Sequence, residues 1–294
     1  MEEIAFYRPT IDEAEITLIK EALKDHGSVI VDRLESELRE YFGVKHAVTT
    51  NNNSAAHHLA LCSMDLKRGD KIICSVNSTP SVAQAIRHFD AEPIFVDINE
   101  DDFNMNPQSL RDTLKVHNHK KLKGIFVNHV GGQASDMDEI YAIAREYDVK
   151  VLDDAGKSVG LTYNGVKIGS DDRSLISCFN VHSQLTNPIA TAGFMLTDDD
   201  AIAERARLLR NHAIVNGGID KDGNLGYVYD VVDIGVKYDL TGLCAAYAVA
   251  QFEKTDKFIA RRRQIAAIYD KELAGCPHVS PPIKKRDHVY IQYI

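Results

Sequence analysis

Val151-Leu152-Asp153-Asp154-Ala155-Gly156-Lys157 decides the reading of this chain. Lys150–Asp153 is a short strand candidate, Asp153 and Asp154 put two carboxylates at its end, and the helical pattern of Met137–Tyr147 precedes it. Working back toward the N-terminus, short strand candidates recur at His46–Thr50, Lys71–Ser75, Pro93–Ile98 and Lys123–Asn128. Helical stretches at Ser54–Met64, Pro80–Phe89 and Asn106–Leu114 separate them. Thr79-Pro80 is a helix start signal, a cap residue followed by proline at the first helical position. Strands alternating with helices imply βαβ crossovers and a mainly parallel sheet covered on both faces. The two carboxylates then sit at the C-terminal end of a buried parallel strand, where open α/β sheets place ligands. A second reading makes them helix-capping carboxylates with Lys157 as counter-ion.

Upstream, Ile11–Asp25 reads as a helix, as does Val31–Phe42 with Asp32 and Glu35 as a capping pair. Downstream, Tyr163-Asn164-Gly165-Val166 reads as a hairpin turn. Ser174–Val181 and Gly193–Thr197 read as strands, Asp199–Asn211 as a helix, and Leu240–Lys271 as two helices. Val215–Asp230 reads as a loop, and Val289–Ile294 as a strand.

The bulk composition narrows the function. The chain has 294 residues, 44% of them hydrophobic, enough for a large core. A formal net charge of -9 argues against nucleic acid or an anionic membrane surface as the main partner. The five cysteines, Cys62, Cys74, Cys178, Cys244 and Cys276, are scattered, without the spacing of a disulfide frame or a zinc site. There is no signal-peptide pattern and no apolar run of membrane-spanning length. A cytoplasmic protein is expected.

Thr49-Thr50-Asn51-Asn52-Asn53-Ser54-Ala55-Ala56 is a strand end, a polar turn and a helix start near Ser54. Exposed N–H groups at a helix start can hold an anion, and a serine hydroxyl adds a donor. The plainer reading makes Ser54 only the helix cap.

The order of these pieces resembles the DegT-type nucleotide-sugar aminotransferases, which are fold type I enzymes dependent on pyridoxal 5'-phosphate. The resemblance rests on Phe6-Tyr7-Arg8-Pro9-Thr10, Phe42–Val48, Ser54–Leu61 and Pro93–Ile98. It continues through His129–Asp138 (HVGGQASDMD), Leu208–His212 and Gln251–Lys254. It implies an α/β fold type I transferase with a mainly parallel central sheet flanked by helices. Residues 1–235 would form the large domain with an N-terminal helix. Residues 236–294 would begin a smaller C-terminal domain that is incomplete. It implies pyridoxal 5'-phosphate as cofactor, a nucleotide-linked sugar as ligand, and a homodimer. The activity implied is amino transfer from an amino acid, commonly glutamate, to a keto sugar.

Carried over residue by residue, the resemblance makes Asp154 the partner of the pyridine nitrogen. Ser54 and Asn53 take the phosphate turn. The family's glutamine after the aspartate is Lys157 here, its stacking aromatic residue is Thr79, its phosphate-binding serine is Asn180, and the asparagine from the neighbouring subunit is Lys237. In Cys178–Gly193 (CFNVHSQLTNPIATAG), Phe179 and His182 fit the family pattern, but the cofactor-anchoring lysine falls at Leu185. Leucine can neither form that covalent link nor shuttle a proton.

Four readings follow. The chain is a non-catalytic nucleotide-sugar binder or scaffold, a pseudoenzyme. Or it is an enzyme with a displaced lysine, Lys157 or Lys237, although both can be ordinary solvated lysines. Or it performs lysine-less chemistry, as sugar dehydratases do, with His182 as base. Or it is a structural protein, in which Leu243–Phe252 (LCAAYAVAQF) packs at a dimer interface or in the core.

Overall fold

The computed structural model describes residues 9–24, 27–181, 189–215 and 229–294, together with the backbone of 218–219 and 225–226. His182, Leu185 and most of the 215–230 loop lie outside them. The helices are α1 (Glu13–Ala22), α2 (Ser28–Phe42), α3 (Asn53–Ser63), α4 (Pro80–Arg87), α5 (Pro107–His117), α6 (Met137–Glu146), α7 (Asp200–Arg210), α8 (Gly242–Glu253) and α9 (Thr255–Glu272). The strands used below are β1 (His46–Thr50), β2 (Lys71–Ser75), β3 (Glu92–Val96), β4 (Leu122–Asn128), β5 (Val151–Asp154), β6 (Thr162–Tyr163), β7 (Val166–Lys167), β8 (Ser174–Asn180) and β9 (Gly193–Thr197).

Seven strands form one sheet in the order β1-β9-β8-β5-β4-β2-β3. Only β9 runs antiparallel, to both β1 and β8. This is the mainly parallel sheet expected from strands spaced by helices. Alternate side chains feed two cores. Ile73, Ile125, Val127 and Val151 face a cluster with α1, α2, α5, α6 and α8. Ile72, Cys74, Phe126 and Leu152 face one with α3, α4 and α7. The period of two that makes a strand two-faced thus produces an α/β/α sandwich. It also sends Asp153 and Asp154 to opposite sides of the sheet.

α8 is core in this chain: Ala245 through Phe252 are all buried, and the helix packs on α1 and α2. The contact is close enough that a Cβ on Gly242 would lie 2.6 Å from the Gly27 Cα. β6 and β7 form the expected hairpin, with Asn164 (φ 49°) and Gly165 (φ 83°) in the left-handed region its two-residue turn requires.

Three expectations are corrected. α2 begins at Ser28 behind a left-handed Gly27, so Asp32 and Glu35 lie inside the helix and cap nothing. Glu35 is instead buried and accepts from Thr49 N, Thr49 Oγ1 and Arg210 Nη1 at 2.9, 2.9 and 2.7 Å. Asn52, not Ser54, caps α3, its side chain accepting from Ala55 N at 2.9 Å. Val289–Ile294 is not a strand. Tyr290 sits in the left-handed region (φ 50°), and Val289 N and Gln292 N bond to the carbonyls of Gly132 and Gly131.

Candidate active site

The C-terminal ends of β2, β4, β5 and β8 open into a cavity of about 860 Å3. β5 supplies Asp154, β4 ends at Asn128, β8 ends at Asn180, and the β2–α4 connection brings Asn77 through Ser81. Lys157 and Gln292 complete one wall, and the start of α3 brings Asn53 and Ser54. Asn53, Ser54, Thr79, Asp154, Lys157 and Asn180, far apart in sequence, therefore share one chamber.

Asp154 is its electrostatic centre. Three groups converge on its Oδ1: His57 Nε2 at 3.0 Å, Gly156 N at 3.3 Å and Asn53 Nδ2 at 3.4 Å. Burial works to raise the pKa of this carboxyl, but His57 and the other donors outweigh it and hold the group below its ordinary value. Asp154 is therefore an anion, and His57 Nε2 must be the donor. No hydrogen bond from a described residue reaches Oδ2, which leaves that oxygen for a ligand. No helix follows Asp154, so the capping reading of the carboxylate pair fails.

His57 is the residue that sequence reasoning missed. It is fully buried, edge-on to Phe126 with ring centroids 5.3 Å apart. Its position four residues after Asn53 puts both on one face of α3. The pair His57-His58 inside the otherwise apolar run Ala55–Leu61 was the available signal.

Around Asp154 the chamber offers unused acceptors: Asn53 Oδ1, Asn128 Oδ1 and Asn180 Oδ1 are buried without a partner. At the start of α3, the N–H groups of Asn53 and Ser54 are among those a helix leaves unpaired. The Ser54 side chain is exposed on the cavity wall and, relieved of capping, has its hydroxyl free for a ligand. The turn is braced from below. Thr191 Oγ1 donates to Asn51 O at 2.8 Å, and a Cβ at Gly193 would lie 2.3 Å from the Asn52 carbonyl carbon.

The two candidate lysines differ. Lys157 Nζ donates to Gln292 Oε1 at 2.6 Å on the cavity wall. Burial pushes its pKa down, with Asp154 opposing. Lys237 is largely solvent-exposed, pairs with Asp239 at 2.9 Å, and does not line this cavity. Thr79 lines the chamber, its hydroxyl 2.8 Å from Ser81 Oγ.

Behind β5, on the other side of the sheet, Asp153 and His129 face each other with Oδ1 and Nε2 3.9 Å apart, both atoms otherwise unpartnered. Burial pushes Asp153 up to about 6 and His129 down to about 4.

The profile of the DegT/DnrJ/EryC1/StrS aminotransferase family matches residues 9–294. The chain belongs to that family. It is 31% identical to a Campylobacter jejuni UDP-4-amino-4,6-dideoxy-N-acetyl-beta-L-altrosamine transaminase, covering 97% of this chain and 73% of the relative. It is 29% identical to the GDP-perosamine synthase of Vibrio cholerae, covering 93% and 72%. Among solved structures, a putative sugar aminotransferase of Streptococcus pneumoniae in its PMP form superposes with a TM-score of 0.86 at 22% identity, covering 99% of this chain and 78% of that one. Such structures share the fold type I architecture read from the sequence. Among the described residues, no helix is long and apolar enough to cross a membrane.

Proposed function

We propose that this chamber binds pyridoxal 5'-phosphate or its amino form and serves amino transfer to a keto sugar carried on a nucleotide. The observation that carries the reading is Asp154: an anion on the cavity wall, clamped on one oxygen by His57, with no hydrogen bond from a described residue on the other. A protonated ring nitrogen is the complement of that oxygen. The unpartnered amide oxygens of Asn53, Asn128 and Asn180 fit a ligand that brings its own donors. The N–H groups at the start of α3, with Ser54, fit a phosphate.

When bound, the cofactor supplies the amine-carrying group and an electron-withdrawing ring. The protein's residues do the rest. Asp154 Oδ2 holds the proton on the ring nitrogen, and His57 keeps Asp154 charged. Lys157 Nζ, on the cavity wall with its pKa lowered by burial, would be the amine that accepts and returns a proton. Gln292 Oε1 fixes it there through one hydrogen bond.

A second reading rests on Leu185: the chain binds a cofactor or nucleotide sugar without transferring an amino group. Visible absorption of the protein with added pyridoxal 5'-phosphate, before and after borohydride reduction and with peptide mapping, separates the two. An adduct mapping to Lys157 supports the displaced-lysine enzyme. Tight binding without an adduct supports lysine-less chemistry or a binding role. Cofactor that washes out, with Asp154→Asn indistinguishable from the parent, overturns the proposal.

A further inference from the structure

Phe103 is held in a backbone conformation that phenylalanine rarely adopts. Its φ is 58°, in the left-handed region, where a bulky side chain crowds the neighbouring carbonyl. Glycine and asparagine take that conformation at less cost, and Asn99, Asn104 and Asn106 lie close by in sequence. Packing does not offset the cost: Phe103 is half-buried and belongs to neither hydrophobic core.

Polar bonds hold the backbone there instead. Phe103 N donates to the Asn99 carbonyl at 3.1 Å, and the Phe103 carbonyl accepts from Asn77 Nδ2 at 3.2 Å. On the C-terminal side, Asn104 N donates to Asp102 Oδ1 at 3.1 Å, and Asn104 Oδ1 accepts from Val130 N at 2.8 Å. Asp102 is itself paired with Arg286. Asn77 links this brace to the sheet edge. Its carbonyl accepts from Asn128 Nδ2 at 2.6 Å, and Asn128 stands beside Asp154 in the β4–β5 register. A strained residue over-determined by its surroundings in this way points to a task at that position.

The surroundings of the ring indicate the task. Phe103 lines the main chamber, and among the described residues it is the only phenylalanine or tyrosine that does. Pro80, Val130 and Ile294 add apolar surface to the same chamber. Phe103, Val130 and Ile294 also border a small second cavity in which Asp154 has no part, so this wall lies apart from the carboxylate. Ser78, Ser81 and Gln84 bring hydroxyl and amide groups to the chamber. An aromatic face with polar groups around it complements a flat conjugated ring whose faces are apolar and whose edges carry donors and acceptors. A nucleobase is such a ring, and every base has a π-face that can stack on an aromatic side chain.

We propose that Phe103 is the stacking platform for the base of a nucleotide-linked ligand, a positioning residue on the wall away from Asp154. The inference rests on the reading that a nucleotide-linked sugar enters the chamber. It does not rest on the cofactor: Phe103 holds the base whether or not pyridoxal 5'-phosphate is bound at Asp154.

The test is a ligand-observed NMR titration of the full chain with UMP, GMP and ribose 5-phosphate, which lacks a conjugated ring. Pyridoxal 5'-phosphate is titrated separately. UMP or GMP is expected to bind roughly fivefold to tenfold more tightly than ribose 5-phosphate, the lower end of what a base stacked on an aromatic side chain contributes. In Phe103→Leu, which keeps an apolar side chain, that preference should fall to near unity while ribose 5-phosphate binds as before. Phe103→Asn suits the left-handed backbone, so it should keep or raise the urea midpoint and lose the same preference. It decides the matter alone if Phe103→Leu does not fold. No preference for the nucleotides in the parent, a preference unchanged in the variants, or an effect of the variants on pyridoxal 5'-phosphate alone overturns the proposal. Pyridoxal 5'-phosphate that fails to bind the parent counts against the function proposed above and leaves the Phe103 result standing.

Discussion

Replacing His57 by leucine isolates one bond. Leucine fills similar space against Phe126 and removes the N–H that reaches Asp154 Oδ1 at 3.0 Å. The donors left are Gly156 N at 3.3 Å and Asn53 Nδ2 at 3.4 Å, both longer. A hydrogen bond to a charged group contributes about 1.5–3 kcal/mol, and one pKa unit corresponds to about 1.4 kcal/mol. The Asp154 pKa should therefore rise by about one to two units in His57→Leu. The sign for stability follows. A carboxyl held below its ordinary value of 3.8 stabilises the fold above that pH and stops doing so as pH falls through its folded pKa. The variant should thus lose stability at neutral pH, and the loss should shrink as pH falls below 3.8. If Asp154 holds a ring proton, pyridoxal 5'-phosphate should bind about tenfold more weakly. The low-pH limb of its binding curve should also move to higher pH. His57→Gln, which can offer an amide donor, should recover part of both effects. The assay is a fluorescence titration with pyridoxal 5'-phosphate between pH 5 and 8, with Asp154→Asn alongside. The reasoning is refuted if Asp154→Asn loses binding while His57→Leu keeps both the affinity and the pH profile of the parent.

Four other outcomes are expected. In the Asp153–His129 pair, the folded Asp153 keeps its proton up to about 6 instead of 3.8, so its contribution is present below 3.8 and lost as pH rises through 6. The folded His129 gives up its proton near 4 instead of 6.5, so its contribution is lost as pH falls from 6.5 toward 4. The slopes oppose. Asp153→Asn removes the first, and the urea unfolding free energy should then rise with pH by up to about 1.4 kcal/mol per unit between 4 and 6; an unchanged profile contradicts this. Gly193→Ala would press a methyl onto the Asn52 backbone, which cannot rotate away, and should cost about 1–3 kcal/mol in chemical denaturation while weakening cofactor binding. Gly165→Ala, with open space around it but φ 83°, should cost about 1 kcal/mol from the backbone alone and leave binding unchanged. Arg210→Met should cost about 3–5 kcal/mol because it strands the buried Glu35, and adding Glu35→Gln should recover part of that in a double-mutant cycle.

How far the sequence reaches depends on whether a residue's role is local. The strands His46–Thr50, Lys71–Ser75 and Gly193–Thr197 were legible to the residue, because short apolar runs between polar turns have one reading. The convergence of Asn53, Thr79, Asp154 and Asn180 was legible only through the family resemblance, since nothing local brings four distant turns to one sheet edge. What escaped was tertiary. Glu35 has the spacing of a capping residue, yet Arg210, 175 positions away, claims it. Asn52, Asn53 and Ser54 are all capping types, and only the entry angle of the chain chooses among them. Val289–Ile294 alternates like a strand, but its partner is the Gly131–Gly132 turn, and the bonds it makes there require Tyr290 to leave the extended region. Lys157 and Lys237 are equally plain as letters, and burial alone distinguishes them.

That distinction bears on whether the chain is only a scaffold. A small-residue helix such as α8 needs no ligand to explain it, since α1 and α2 cover it within the chain. The sheet edge is different. A buried carboxylate there is kept charged by an imidazole that has no other visible task. Unpartnered amide oxygens line the same chamber, and a buried hydroxyl without a partner, Ser158 Oγ, lies one wall away. Each such group costs folding free energy when it stays unmatched, and a core freed from binding would gain by replacing it with an apolar side chain. They are instead gathered at one sheet edge around Asp154. Leu185 removes one way of attaching a cofactor covalently. It leaves the polar lining of the described chamber in place, and that lining is the feature a scaffold does not require.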